Sequence, residues 1–280
     1  MMEITSSTSI VGLIGHPVAH SLSPRIHSAL YQSIDLDLAY LAFDILPGDL
    51  ADSISGMLAL GFKGFNVTIP YKESVLSLID IVDPYAQQLG AINTVRIGNG
   101  RLFGHNTDGE GFIQAFKREN MSIKNKSVVI IGAGGAARPI GVYMAKESPE
   151  RIAIVNRTFE KGKILAHLIN DVTGSQIASP VSQIPENMDI IVNTTSLGMW
   201  PNIRYNPISG LSLSPETIVC DIVYNPRMTA MLRQAVSSGC QIVDGTGMLI
   251  GQALSSVQIW TGKPVKEKYW QIMQEELDKL

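Results

Sequence analysis

The stretch Gly132-Ala133-Gly134-Gly135-Ala136-Ala137 constrains the fold more tightly than any other part of the chain. It follows an apolar, β-branched run at 127–131 and precedes a helix-forming stretch through Lys146. The spacing Gly132-x-Gly134-x-x-Ala137 is what a strand-to-helix turn needs when it receives a pyrophosphate. The first glycine makes the tight turn, the second lets backbone approach the ligand, and the small last residue lets helix and strand pack closely. The helix start then offers free amide donors and the positive end of its dipole. The other reading of the same residues is a glycine-rich turn that serves helix packing alone.

Strand and helix patterns alternate along the whole chain, which argues for α/β architecture with parallel strands. In the first half, apolar strands fall at 10–14, 39–45 and 63–68, with helices at 25–31 and 50–60, the latter stopped by Gly61. Pro70 suits the first turn of a helix, and 74–81 reads as helical. Asn99-Gly100 turns a hairpin between 94–97 and 101–105. An amphipathic helix then presents Phe112, Ile113 and Phe116 on one face, and the polar segment 118–126 supplies a domain boundary near 120. Further strands are predicted at 151–155, 189–193, 217–223 and 241–243, with a helix at 160–169. Two closing helices, from Thr246 and over 265–280, exceed what the second sheet needs and are free to return to the first domain.

With 280 residues, two domains are the default. The formal net charge of −3 comes with scattered Lys and Arg, so neither nucleic acid nor an anionic membrane has an electrostatic footprint. Cys220 and Cys240 are the only cysteines. Cys220 lies in an apolar run, which favours inert buried thiols in a reducing cytoplasm over a disulfide or metal site. The N-terminal residues lack a basic segment followed by an apolar one, and no apolar run reaches about 18 residues, so a soluble, unexported protein is expected.

Asn156 and Arg157 stand at the end of the strand at 151–155, where an NAD site normally carries Asp or Glu. Without a carboxylate to repel it, a 2′-phosphate can be met by Arg157 and by Lys161 one turn on, which favours NADP; a solvated helix start is the alternative. Asn66-Val67-Thr68-Ile69-Pro70-Tyr71-Lys72 places an amide, a hydroxyl and an ammonium in one turn-prone segment after a strand, where ligands of open α/β sheets usually bind. Lys72 with Asp108 would make a proton-transfer pair, since a nearby carboxylate orients an ammonium. Taken singly, Lys72 reads as a solvated helix residue, Asp108 as a helix cap, and Asn66, Asn93 and Asn106 as turn formers. Ser21 and Ser23, alternating about Leu22 in an extended segment, would point two hydroxyls at one carboxylate; capping before Pro24 is the other reading. The histidines lack metal-ligand spacing, so no metal is assigned.

These residues together resemble the shikimate and quinate dehydrogenase family over nearly the whole length. The shared elements are Gly15-His16-Pro17-Val18-x-His20-Ser21-x-Ser23-Pro24, Asn66-Val67-Thr68-x-Pro70-x-Lys72, Gly90-Ala91-x-Asn93-Thr94, Asn106-Thr107-Asp108-Gly109, Gly132-Ala133-Gly134-Gly135-Ala136, Asn156-Arg157-Thr158, Asp221-x-x-Tyr224-x-Pro226 and Gly247-Met248-Leu249-x-x-Gln252.

The resemblance implies an N-terminal α/β substrate-binding domain plus a Rossmann-type NADP-binding domain with a cleft between them. The expected division is 1–120 with 247–280 for substrate and 121–246 for NADP. It implies that Ser21 and Ser23 hold a substrate carboxylate, and that Thr68, Lys72, Asn93, Asp108 and Gln252 surround the ring hydroxyls and the reacting carbonyl, with Tyr224 nearby. Gly132, Ala133, Gly134, Gly135, Ala136, Asn156, Arg157, Thr158 and Lys161 would bind NADP, and Ile222 and Gly245 would line the nicotinamide end. The implied reaction is NADP-dependent reduction of 3-dehydroshikimate to shikimate in aromatic amino-acid biosynthesis, with Lys72 and Asp108 catalytic. The resemblance also admits a homodimer. The chain departs from the family pattern at Ser28, where Asn is common, and at Ile92, where Val is common. Two rivals share these motifs: a dual-specificity quinate and shikimate dehydrogenase, and a non-catalytic NADP-sensing protein, against which Lys72 and Asp108 weigh.

Overall fold

The computed structural model describes residues 4–279. It forms two compact units, Met1–Thr107 with Ile250–Leu280, and Asp108–Leu249.

The first unit opens with β1 (Ser9–Gly15), α1 (Ser23–Ser33), β2 (Leu38–Asp44), α2 (Leu50–Ala59) and β3 (Gly64–Val67). After a 3-10 turn at Ser74–Leu78 come β4 (Ile81–Val82), α3 (Pro84–Leu89), β5 (Thr94–Gly98) and β6 (Arg101–His105). Its sheet runs β2-β1-β3-β5-β6-β4. β1 pairs in parallel with β2 and β3, as strand–helix alternation requires. The hairpin then reverses direction, and β5 pairs antiparallel with both β3 and β6, so the sheet is mixed. Asn99 and Gly100 both take positive φ, 51° and 70°, the conformation that a two-residue hairpin turn demands.

Local expectations fail in two places here. Pro70 lies in the turn 68–71 with a cis Ile69–Pro70 bond and starts no helix, because Tyr71 N–H closes that turn on Thr68 O at 3.0 Å. Residues 74–81 make only a 3-10 turn. Asp80 accepts the Leu102 amide at 2.7 Å and Ile81 pairs with Phe103, which draws the segment into β4. The helix α3 was not expected, although its ends are marked: Asp83 accepts from Tyr85 N and Ala86 N, Pro84 opens the helix, and Gly90 closes it at φ 63°.

The second unit begins with α4 (Asp108–Arg118), followed by β7 (Ser127–Ile131), α5 (Ala137–Lys146), β8 (Arg151–Val155), α6 (Phe159–Thr173) and β9 (Ala178–Val181). β10 (Ile190–Asn193), β11 (Ile218–Asp221), α7 (Ala230–Ser237), β12 (Gln241–Val243) and the first residues of α8 (Gly245–Thr261) complete it. The strand order is β12-β11-β10-β7-β8-β9 and every pairing is parallel. That is the doubly wound dinucleotide-binding order, with its switch point between β7 and β10. Val128, Val129, Ile130, Ile190 and Val192 are fully buried, as strands covered on both faces require.

The expected boundary near 120 differs from the observed division at Thr107/Asp108. α4 belongs with the second unit because it packs on α5 at Gly109, where a Cβ would lie 2.1 Å from the Tyr143 ring. The end of α8 and all of α9 (Glu267–Leu277) belong with the first unit. Trp260 donates its indole N–H to Val95 O at 2.9 Å, over Gly64, where any side chain would collide with the ring. α9 packs along α1, and Arg25 pairs with Glu276 at 2.5 Å.

Candidate active site

At the C-terminal end of β3 the first unit gathers polar side chains by backbone bonds. Thr68 N–H reaches Ile14 O at 2.9 Å, and Gly15 leaves room for the Thr68 methyl, which would sit 2.4 Å from any Cβ there. Lys72 O accepts the Ile92 amide at 2.8 Å, and Val67 N–H bonds Asn93 O at 2.8 Å. Thr68, Lys72 and Asn93 are therefore held at one corner of the sheet. Tyr71 anchors the same turn from below, its buried hydroxyl donating to Ile45 O at 2.6 Å. Gln252, on α8, joins through its carbonyl, which accepts the Thr107 hydroxyl at 3.2 Å, while Thr107 Oγ1 accepts the Asn93 amide at 2.9 Å.

Ser21 lies between β1 and α1 and Ser23 is the first residue of α1, so the pair is not in the extended geometry expected. Leu22 is helical at φ −86°, ψ −7°, and Ser21 Oγ accepts the Ser23 amide at 3.2 Å. Pro24, the second residue of α1, fits this, since its fixed φ suits the first helical turn. Asn106 braces the strand end, its amide donating to Ala91 O at 2.9 Å.

In the second unit the loop after β7 is defined by what it lacks. Gly132 sits at φ 111°, with Thr194 Oγ1 2.6 Å from where a Cβ would be. Gly134 is exposed, and a Cβ there would meet nothing within 4 Å. The start of α5 has no side-chain cap and no acidic residue in its first turn, so the positive end of its dipole is open to an anion. At the end of β8, Asn156 donates to Thr158 O at 2.8 Å and shapes the turn, leaving Arg157, Thr158 and Lys161 exposed. Glu160, the acidic residue of that first turn, pairs with Lys163 at 3.3 Å. Open glycine, uncapped helix and a basic strand end fit a dinucleotide bearing a 2′-phosphate. Gly245 opens α8 hard against β11's exit, since a Cβ would lie 2.4 Å from Ile222 O. Asp108, at the head of α4, is buried, and Tyr224 is half-buried after β11.

Two groups beyond the expected site residues support this end of the second sheet. Asp221, at the end of β11, accepts Asn193 Nδ2 at 2.9 Å, Val223 N at 3.0 Å and Thr229 Oγ1 at 2.7 Å. One carboxylate thus ties the exits of β10 and β11 to the cap of α7. Burial raises its pKa to about 6, and the bonds from Thr229, Val223 and Asn193 oppose that shift without cancelling it. Asn193 in turn accepts from Thr195 N at 3.0 Å and Thr195 Oγ1 at 2.6 Å, which sets the loop beside Gly132. The run Thr194-Thr195-Ser196 directly after an apolar strand was the signal that could have marked it.

Residues 13–95 match the family described as Shikimate dehydrogenase substrate binding domain, residues 114–206 match Shikimate / quinate 5-dehydrogenase, and residues 245–269 match Shikimate 5′-dehydrogenase C-terminal domain. The shikimate dehydrogenase (NADP(+)) of Bacillus licheniformis is 42% identical over 270 residues, which cover 96% of this chain and 97% of that protein. A shikimate dehydrogenase crystallised with NADP+ superposes with a TM-score of 0.91 at 38% identity, covering 99% of this chain and 97% of the other. The Thermus thermophilus enzyme in complex with NADP(H) and shikimate gives 0.85 at 32% identity, with 97% and 99% covered. The chain belongs to the shikimate dehydrogenase family.

Proposed function

We propose that this oxidoreductase reduces 3-dehydroshikimate to shikimate with NADPH, and catalyses the reverse oxidation with NADP+, as a step of aromatic amino-acid biosynthesis. The observation that carries it is the division of chemistry between two strand ends: Thr68, Lys72 and Asn93 gathered at β3, and an open Gly134 below an uncapped helix beside Arg157 and Lys161 in the second unit. On this reading the first unit binds substrate and the second binds NADP.

NADPH, when bound, supplies the hydride for the C3 carbonyl. Lys72 delivers a proton from Nζ to the oxygen that becomes the hydroxyl, and Asp108 is the second catalytic residue of this reading. Ser21 and Ser23 hold the carboxylate, and Thr68, Asn93 and Gln252 hold the ring hydroxyls, with Tyr224 beside them. Held reactants convert an encounter into an oriented, effectively unimolecular step. Backbone amides of residues 132–136 take the pyrophosphate, Asn156, Arg157, Thr158 and Lys161 take the adenosine end, and Ile222 and Gly245 line the nicotinamide.

Cytoplasmic residence is part of the same proposal, supported by two free, buried thiols, Cys220 and Cys240. Among the described residues no helix is long and apolar enough to cross a membrane. A homodimer also belongs to the proposal; β2 is an edge strand with Leu41 47% exposed, and sedimentation would report the association. Initial rates with shikimate and quinate, each with NADP+ and NAD+, test the activity. Shikimate with NADP+ is expected to be the most efficient pair. Equal efficiency with NAD+ would sink the cofactor assignment, and equal efficiency with quinate would establish the dual-specificity rival.

A further inference from the structure

Asn66 has no place in the proposed chemistry, yet its side chain lies within hydrogen-bond distance of four partners. It is 4% exposed, on β3 opposite Thr94 of β5. Its Oδ1 accepts the Tyr40 hydroxyl at 2.8 Å. Its Nδ2 lies 3.1 Å from Asn93 O, 3.0 Å from Thr94 Oγ1 and 2.9 Å from Ser256 Oγ. Thr94 Oγ1 is 3.0 Å from Asn93 Oδ1 and 2.9 Å from Ser256 Oγ, and Ser256 Oγ is 2.8 Å from Gln252 O.

Proton counting gives this cluster a direction. An amide nitrogen has two protons and a hydroxyl has one. Asn93 O already accepts the Val67 amide at 2.8 Å, so the two Asn66 protons are best spent on the Thr94 and Ser256 oxygens. Each hydroxyl is then turned outward: Thr94 donates to Asn93 Oδ1, and Ser256 donates to Gln252 O. The contact between the Thr94 and Ser256 hydroxyls has no proton of its own. Asn93 Oδ1 also accepts the Thr107 backbone N–H at 2.8 Å, a group that can only donate, so that atom is the oxygen and the Asn93 NH2 faces the other way. Both branches therefore end on residues assigned above to the ring hydroxyls.

We propose that Asn66 and Thr94 are positioning residues for substrate, their directed hydrogen bonds fixing which way the Asn93 amide faces and where Gln252 stands. This deepens the proposed shikimate-binding site and rests on that reading. Asn66, Thr94, Thr107 and Ser256 are all buried, so a bond removed here is not replaced by solvent, and the whole cluster lies within one unit.

The test is steady-state kinetics on the full-length enzyme with NADP+ and shikimate, using Thr94→Val, Thr94→Ser and Ser256→Ala. Thr94→Val keeps the shape and removes the proton to Asn93. Losing a net bond of about 1.4 kcal/mol corresponds to about a tenfold rise in KM for shikimate. The KM for NADP+ is expected to stay unchanged, and Thr94→Ser to return the wild-type value. Ser256→Ala removes one of two side-chain bonds to Gln252 O and is expected to raise the same KM less. An unchanged shikimate KM in Thr94→Val, a parallel rise in both KM values, or failure of Thr94→Ser to restore binding would overturn the inference. If Thr94→Val does not fold, an unchanged shikimate KM in Ser256→Ala overturns it instead. A wild-type enzyme that does not oxidise shikimate would defeat the functional reading itself, whereas an active wild type with indifferent variants defeats only this inference.

Discussion

At the end of β3 the first unit accumulates side chains, whereas at the end of β7 the second unit removes them. Thr68, Lys72 and Asn93 stand at the first corner on a scaffold of buried amides and hydroxyls. Gly132 and Gly134 stand at the second, and the donors there are backbone amides at an uncapped helix start. The difference follows from the ligands proposed for them. A hydroxylated ring with a carboxylate differs from its analogues by the placement of single groups, which only oriented side chains can read. A pyrophosphate is the same in every dinucleotide, and a helix terminus suffices for it. Substitutions should therefore act oppositely at the two corners: truncation should hurt the first and enlargement the second.

The largest effect is expected from truncating Lys72. Proton transfer by a positioned side chain contributes about 10²–10⁴-fold, so Lys72→Ala should lower turnover by that order. NADP+ affinity, measured by fluorescence titration, should not move. Near-normal turnover would remove Lys72 from the chemistry and leave the first corner a binding site only.

Enlargement of the glycine loop comes next. Gly134→Val should weaken NADP+ binding by about 10²-fold, the worth of one or two charge-assisted bonds of about 1.5–3 kcal/mol. Its melting temperature should be unchanged, because nothing lies within 4 Å of the new Cβ. Gly132→Ala should differ in kind, losing stability as well as affinity, since φ is 111° and Thr194 is in the way. A smaller effect belongs to Arg157→Ala. About a tenfold loss of NADP+ affinity with unchanged NAD+ affinity is expected, and parallel losses would show that Arg157 does not read the 2′-phosphate.

The two corners were also unequally legible. The glycine loop is a contiguous signal, and its reading needed only the strand before it and the helix after it. The basic end of β8 was equally plain, because Asn156 and Arg157 occupy a position whose chemistry is set by the strand that precedes them. The first corner is assembled from afar. Asn66 meets Ser256 190 residues away, and no local pattern distinguishes that amide from a turn former. The residue types at 66, 93 and 94 were visible, but the bonds that orient them were not. Among the elements, β9 escaped notice because Ser179 and Pro180 hide an edge strand, whose ladder tolerates a missing donor. α7 escaped although Thr229 caps it, accepting Leu232 N at 3.3 Å. Helix α4 was seen, but an apolar face does not say which sheet it will cover, and in the structure it falls with the second unit.

The smallest expected effect separates the units by acid. In the first unit His27 is fully buried, stacked on Tyr40 with ring centroids 4.0 Å apart, and burial lowers its pKa to about 3. In the second, burial raises Asp221 to about 6. Between about pH 6.5 and 3 the unfolded chain binds a proton at His27 that the folded chain refuses, so the stability from a neutral His27 is lost as pH falls through that window. Asp221 works the other way. Between about pH 4 and 6 the folded chain holds the proton more tightly than the unfolded one, so stability falls as pH rises towards 6. The two slopes oppose each other between about pH 4 and 6, and each is bounded at about 1.4 kcal/mol per pH unit. The wild-type melting temperature should accordingly be flat where either group alone would tilt it. Asp221→Asn should uncover the His27 slope, with the melting temperature dropping by a few degrees from pH 6 to pH 4.5, at roughly 2–4 °C per kcal/mol. His27→Phe should uncover the reverse tilt. Amide hydrogen exchange at the two pH values would assign each slope to its unit, and equal loss of protection in both units of Asp221→Asn would show that they unfold as one body.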